Sequence, residues 1–148
     1  MPKIFGTNIL GILIGGAAFW MLGAIWYGPV FGEMWIEVQG TTKEAAEARM
    51  KDMGVMMYVW GLIISLVSTV GISYVLQQSS ASLLTTCAKI AAILAVLIAL
   101  PIMGYAVLYE GYPIKGLALD FAYVLIGFVL SGAVMSFFRG KDAIDPTT

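Results

Sequence analysis

The sequence predicts an all-α fold: an integral membrane four-helix bundle with a short interfacial helix between the first and second spans. Three observations carry this. Four apolar stretches, residues 8–27, 55–75, 90–108 and 117–138, each come close to the roughly 20 residues a helix needs to cross about 30 Å of hydrocarbon. Only 11% of the residues are charged and 60% are hydrophobic, whereas a water-soluble domain carries about 25% charged residues. A mean hydropathy of +0.92 would expose large apolar patches in water but is ordinary in lipid. At 148 residues the chain has room for one bundle, so 1–148 reads as a single four-span domain.

The first apolar run, about 20 residues long, exceeds the 7–15 of a cleaved signal. It ends in Trp26-Tyr27-Gly28-Pro29 rather than a small-x-small cleavage site, so it reads as a retained span. Gly11 and Gly15 form a small-xxx-small pair on one face, suited either to packing inside the bundle or to a dimer seam. Gly28-Pro29 is expected to end this helix, leaving residues 30–40 irregular at the interface. Thr41-Thr42-Lys43-Glu44 then fits a capping box, with a Thr hydroxyl at the helix start and a Glu three residues later. The short helix that follows, to about Asp52, either lies on the bilayer surface or leads into span two. Span two carries Ser65, Ser68 and Thr69, which in lipid can bond back to their own helix. Span three holds the small-residue series Ala91, Ala95 and Ala99, and Pro101 inside it predicts a kink. The short turn Glu110-Gly111-Tyr112-Pro113 makes spans three and four antiparallel neighbours.

Missing residue types narrow the chemistry. The chain has no histidine and one cysteine, Cys87. This removes His-based acid–base catalysis, His-ligated metal and an internal disulfide. Cys87 reads as a small apolar residue near a helix start. A net charge of −1 supplies no basic surface for nucleic acid. No nucleophile–base spacing is visible, so the expectation is a protein that is not an enzyme and that uses no metal or cofactor.

An even number of spans puts both termini on one side. Lys3, Lys89, Arg139 and Lys141 lie there, against Lys43, Arg49, Lys51 and Lys115 on the other. The positive-inside rule is nearly balanced by this count. The α-amine, and the way Arg139 and Lys141 abut a span, tilt both termini toward the cytoplasm of an inner membrane.

Polar and aromatic residues are distributed less evenly. Tyr27, Tyr58, Tyr105, Tyr109, Tyr112 and Tyr123 fall toward the non-terminal end, and only Tyr74 lies at the other. Trp26, Trp35 and Trp60 join the majority, as do Glu33, Glu37, Glu110 and Asp120. Aromatic belts normally form at both interfaces. A one-sided belt reads either as anchoring of the longer loop or as a cup of rings and carboxylates for a ligand, a cationic one by cation–π contact. Asp120 is the sharpest residue, because a carboxylate within a span is a functional candidate by default. It lies about one turn into span four, so it can reach the interface or accept a bond from a tyrosine. Glu110, across the turn, is the candidate second carboxylate. Lys115, five residues away, is poorly placed on a helix to pair with Asp120.

Two stretches also resemble a known family. Gly23-Ala24-Ile25-Trp26-Tyr27-Gly28-Pro29-Val30-Phe31-Gly32-Glu33-Met34-Trp35 resembles its opening signature, Gly-x-x-Trp-Tyr followed by Pro, Phe-Gly and Trp. Tyr109-Glu110-Gly111-Tyr112-Pro113-Ile114-Lys115 resembles its second, a Glu-Gly-x-Pro turn before the last span. The family is the bacterial four-span membrane family catalogued as domain of unknown function 1761. The resemblance implies the fold and no activity. By position it marks Trp26, Tyr27, Pro29, Phe31, Gly32, Trp35, Glu110, Gly111 and Pro113. Tyr112 stands where members of the family often carry a basic residue, which argues against a salt bridge to Glu110 as a shared feature.

The functional expectation is binding or permeation of a small solute or ion at the aromatic-acidic end. Asp120 and Glu110 would be its polar groups, with Trp26, Tyr27, Trp35, Tyr58, Tyr109 and Tyr123 as its walls. Four thin helices leave little room for a pore, so permeation would call for a homo-oligomer in the lipid. The alternative is a structural or assembly subunit of a larger membrane complex.

Overall fold

Each apolar stretch forms a helix long enough to span a membrane. The computed structural model describes residues 2–140; Lys141 and the rest of the polar tail lie outside the described residues. The spans are Ile9–Val30, Val55–Gln78, Leu84–Tyr109 and Ile114–Ser136, of 22 to 26 residues. At 1.5 Å per residue even the shortest reaches about 33 Å. The third begins at Leu84, six residues before the apolar stretch 90–108 it contains. Lys89 lies inside it and is exposed; its long stem can carry the ammonium to the interface, so the charge does not end the span.

In detail the helices are α1 (Ile9–Ile25), α2 (Gly32–Val38), α3 (Lys43–Met53), α4 (Val55–Gln78), α5 (Leu84–Leu94), α6 (Leu100–Tyr109) and α7 (Ile114–Ser136). Two π turns, Trp26–Val30 and Ala95–Ala99, extend α1 and join α5 to α6. Each contains or precedes a proline. Pro29 lies in the last turn of the first span, which ends at Val30, close to where the sequence reading ends it. The Phe31 N–H reaches five residues back to the Trp26 carbonyl (2.9 Å), so the turn passes Pro29 without needing its missing N–H. Residues 30–40 are not irregular, because α2 occupies most of them. The cap of α3 is Thr42 rather than Thr41. Its hydroxyl accepts from the Ala45 N–H at 3.2 Å; with Ala45 at the third helical position the reciprocal half of the predicted capping box is missing. Free backbone N–H groups at this helix start, and the Thr42 hydroxyl, hold the exposed Glu44 carboxyl below its usual range. Gly54, at φ +54°, separates α3 from α4, and only Ala46 of α3 is buried.

α1, α4 and α5 assemble on α7. The approach is close because small residues line it. A Cβ on Gly132 would stand 2.8 Å from the Cys87 carbonyl oxygen and 2.9 Å from Ala91. One on Gly11 would meet Phe138 at 2.5 Å, and one on Gly16 would meet Leu66 at 2.6 Å. The Gly11–Gly15 face is therefore used inside the bundle, as are Ala91 and Ala95, which are fully buried. Halfway along, the Ser131 hydroxyl donates to the Gly15 carbonyl (3.1 Å) and Thr69 donates to the Ser65 carbonyl (2.8 Å). The buried core, with Ile12, Ile72, Leu76, Cys87, Ala91 and Met135, lies in the terminal half.

At that end a hairpin absent from the sequence reading, Lys3–Ile4 paired with Thr7–Asn8, turns through Phe5 and Gly6, both at positive φ. It folds over Arg139, which is 6% exposed. The guanidinium donates to the Ala81 carbonyl (2.7 Å), the Phe5 carbonyl (3.1 Å), the Thr7 hydroxyl (2.8 Å) and the Gln77 amide oxygen (3.1 Å). Burial lowers its pKa from the ordinary value; arginine has ample margin and stays charged. Thus four segments are tied by one side chain at the end that looks featureless in the sequence.

The packing makes three substitutions informative about stability. Gly132→Ala should destabilise the protein by about 1–3 kcal/mol, because backbone lies in the way. Gly104→Ala, where a Cβ meets nothing within 4 Å, should be neutral or gain up to about 1 kcal/mol. Arg139→Lys should cost about 1–3 kcal/mol for each acceptor left unpaired. Unfolding in mild detergent measures all three, and equal midpoints for Gly132→Ala and Gly104→Ala would contradict the packing account.

Candidate functional site

Asp120 lies six residues into α7, roughly 9 Å along its axis. Its carboxylate is held on both oxygens. The Tyr27 hydroxyl donates to Oδ1 at 2.7 Å and the Tyr112 hydroxyl to Oδ2 at 2.7 Å. Tyr27 comes from the π turn after α1. Tyr112 comes from the turn before α7, and the reason it reaches Asp120 is local. Residues 112, 116 and 120 are spaced by four, and position 116 is glycine; a Cβ there would stand 2.7 Å from the Tyr112 ring. The missing side chain is the slot in which the ring lies. Gln39, at the end of α2, donates to the Tyr112 hydroxyl at 3.2 Å. The Lys115 ammonium sits 3.0 Å from both Glu37 oxygens and ties α2 to α7. Among the described residues no Lys or Arg pairs with Asp120.

Rings close around this carboxylate. Tyr27 meets Tyr123 edge-on at 5.2 Å and Trp35 at 6.3 Å. Tyr123 rests on Phe19 at 5.1 Å. Trp26 lies against Phe31 at 4.5 Å, and its indole N–H is buried without a partner among the described residues.

The structure therefore brings together Asp120, Tyr27, Tyr123 and Trp35 of the residues read from sequence. It does not bring in Glu110, Tyr58 or Tyr109. Glu110 is exposed and, among the described residues, makes no hydrogen bond to Asp120. Tyr109 is 78% exposed and stacks on exposed Tyr105 at 5.7 Å; Tyr58 and Trp60 also face outward. Pro29 shapes the π turn that carries Tyr27. Phe31 supports Trp26, Gly32 opens α2, Gly111 (φ +69°) makes the turn and Pro113 starts α7. The sequence reading omitted Tyr112 and Gln39 from the site. The spacing 112–116–120 with glycine in the middle was the signal for Tyr112; Gln39 carried none.

Fold and site together define a four-span helical membrane protein with a carboxylate–tyrosine cluster near one end. The chain belongs to the family described as Protein of unknown function (DUF1761), whose model matches residues 10–136. No curated protein and no solved structure matches it.

Burial, and then the bond to Asp120, push the Tyr112 hydroxyl from about 10 up to about 12. The folded state thus favours the neutral phenol. Its stabilisation is complete below pH 10 and is lost as pH rises toward about 12. The unfolding midpoint of the native chain should fall more steeply across that window than that of Tyr112→Phe. Parallel slopes would show that the phenol titrates as though free.

Proposed function

We propose that the protein binds a small organic cation at Asp120. The observation that supports this is a span-borne carboxylate whose described partners are all neutral. A carboxylate offers about four acceptor positions, and the two tyrosines occupy two. Asp120 is only half-buried, which supports access of a ligand to the remaining positions. The faces of Tyr27, Tyr123 and Trp35 nearby suit an ammonium group, which aromatic quadrupoles attract. The proposal involves no catalytic step. Binding within one chain needs no second copy. Permeation would need one, and the small-residue faces that suggest oligomerisation are already spent on internal packing. The balance of charges supports an orientation with both termini in the cytoplasm of an inner membrane.

Calorimetric titration of the detergent-solubilised chain with tetramethylammonium tests the reading. Asp120→Asn should weaken binding about 10- to 100-fold, the equivalent of one charge-assisted interaction of roughly 1.5–3 kcal/mol. Tyr27→Phe should weaken it less. Equal affinity for Asp120→Asn and the native chain would defeat the proposal. A second reading, an assembly subunit, draws on the outward rim of Tyr58, Trp60, Tyr105 and Tyr109. It predicts that alanine at those positions releases co-purifying chains while Asp120→Asn does not.

A further inference from the structure

The flank of the bundle between α4 and the third span is not closed around the middle of the spans. α5 packs on α7 in the terminal half, but beyond the π turn Ala95–Ala99 and Pro101 the third span leaves α4. A cleft of about 620 Å³ opens between them. Gly61 and Gly71 of α4 mark its length, Ile98 and Ile102 form the opposite wall, and Tyr123 and Phe128 form the floor. A Cβ on Gly71 would meet nothing within 4 Å. Ile98 and Ile102 are more than half exposed, so the cleft opens on the flank of the bundle, within the spans.

We propose that this cleft is a binding site for the acyl chains of a bilayer phospholipid. Its lining is almost wholly apolar, with Ser65, Ser68 and Tyr123 the hydroxyl-bearing residues in it. It opens toward the hydrocarbon, where no water is available to fill it. From Gly61 to Gly71 is ten residues of helix, about 15 Å; these positions lie six and seven residues from the two ends of α4, so the slot occupies the middle half of the roughly 30 Å hydrocarbon core, where acyl chains and not headgroups lie. Spread over that length, the volume gives a cross-section of roughly 40 Å², about half that of a helix with its side chains, whose diameter is about 10–12 Å. A flexible hydrocarbon chain enters such a slot; a helix of a second copy does not. The lining is also far smaller than the roughly 800 Å² per partner of a stable protein interface. π bulges that open a wall in this way recur at functional sites.

Native mass spectrometry of the full chain, purified from membranes and then stripped with increasing detergent, tests this. The native chain should retain a phospholipid after bulk lipid is gone. Gly71→Phe, at a lining position where a Cβ meets nothing within 4 Å, should lose it while keeping the helical circular dichroism and unfolding midpoint of the native chain. Gly104→Phe, equally open but outside the cleft lining, should retain it. Asp120→Asn should retain it too, which separates this site from the ammonium site. Equal retention by Gly71→Phe and Gly104→Phe would overturn the proposal. So would a native dimer that Gly71→Phe dissociates, or a retained molecule that is not a phospholipid.

Discussion

Close approach of helix backbones to α7 is the constraint on which the rest of the structure depends. Between helices in lipid there is little hydrophobic drive, since the tails are as apolar as leucine. Cohesion must come from contact and from a few hydrogen bonds. Gly132 admits the α5 backbone, Ser131 reaches the Gly15 carbonyl of α1, and Gly11 accommodates Phe138. Where those contacts are made the helices close on one another, and large side chains such as Leu13, Val67 and Leu97 are exposed. The same constraint explains the cleft. α6 brings no comparable small-residue contact to α4, and Gly71 faces empty space.

The two ends hold opposite charges in the same manner, each surrounded by neutral partners, yet they differ in what they leave free. Arg139 is a donor wrapped by carbonyls, a hydroxyl and an amide, and almost none of it meets solvent. Its directions are spent on closing the hairpin, α4, the α4–α5 turn and the end of α7 together. Asp120 is an acceptor with two donors and an accessible remainder. A saturated, buried charge is a fastener. A half-buried one with two donors is the better candidate for a site, because a ligand could complete its bonding without breaking the fold. That difference in residual capacity, rather than the presence of charge, is why the functional reading stays at the Asp120 end.

Much of this was legible in the chain. Twenty-residue apolar runs leave a single solution in lipid, since every backbone polar group must be bonded within its own helix. Asp120 and Tyr27 were legible because the aromatic and acidic residues are gathered at one end. Tyr112 was legible in principle, through the glycine four residues from each partner, but that spacing spans a turn and a helix and reads as neither. Arg139 was not. An arginine just past a span looks like an interfacial anchor, and its acceptors are mostly backbone carbonyls, which every sequence has and none advertises. Glu110 illustrates the converse: it is next to the site in sequence, but the turn through Gly111 leaves it on the surface.

The prolines were legible, but the form of the backbone's response was not. Pro29 and Pro101 each lack an N–H that a helix in lipid would use. The chain responds at both places by widening to a five-residue reach, Phe31 to Trp26 and Leu100 to Ala95; the first closes the last turn of its span and the second carries the third span on into α6. The first such turn carries Tyr27 to Asp120. The second carries Ile98 and Ile102 away from α4. A proline that merely ended the helix would leave both features unbuilt, so the cluster and the cleft arise from one solution to the same backbone problem.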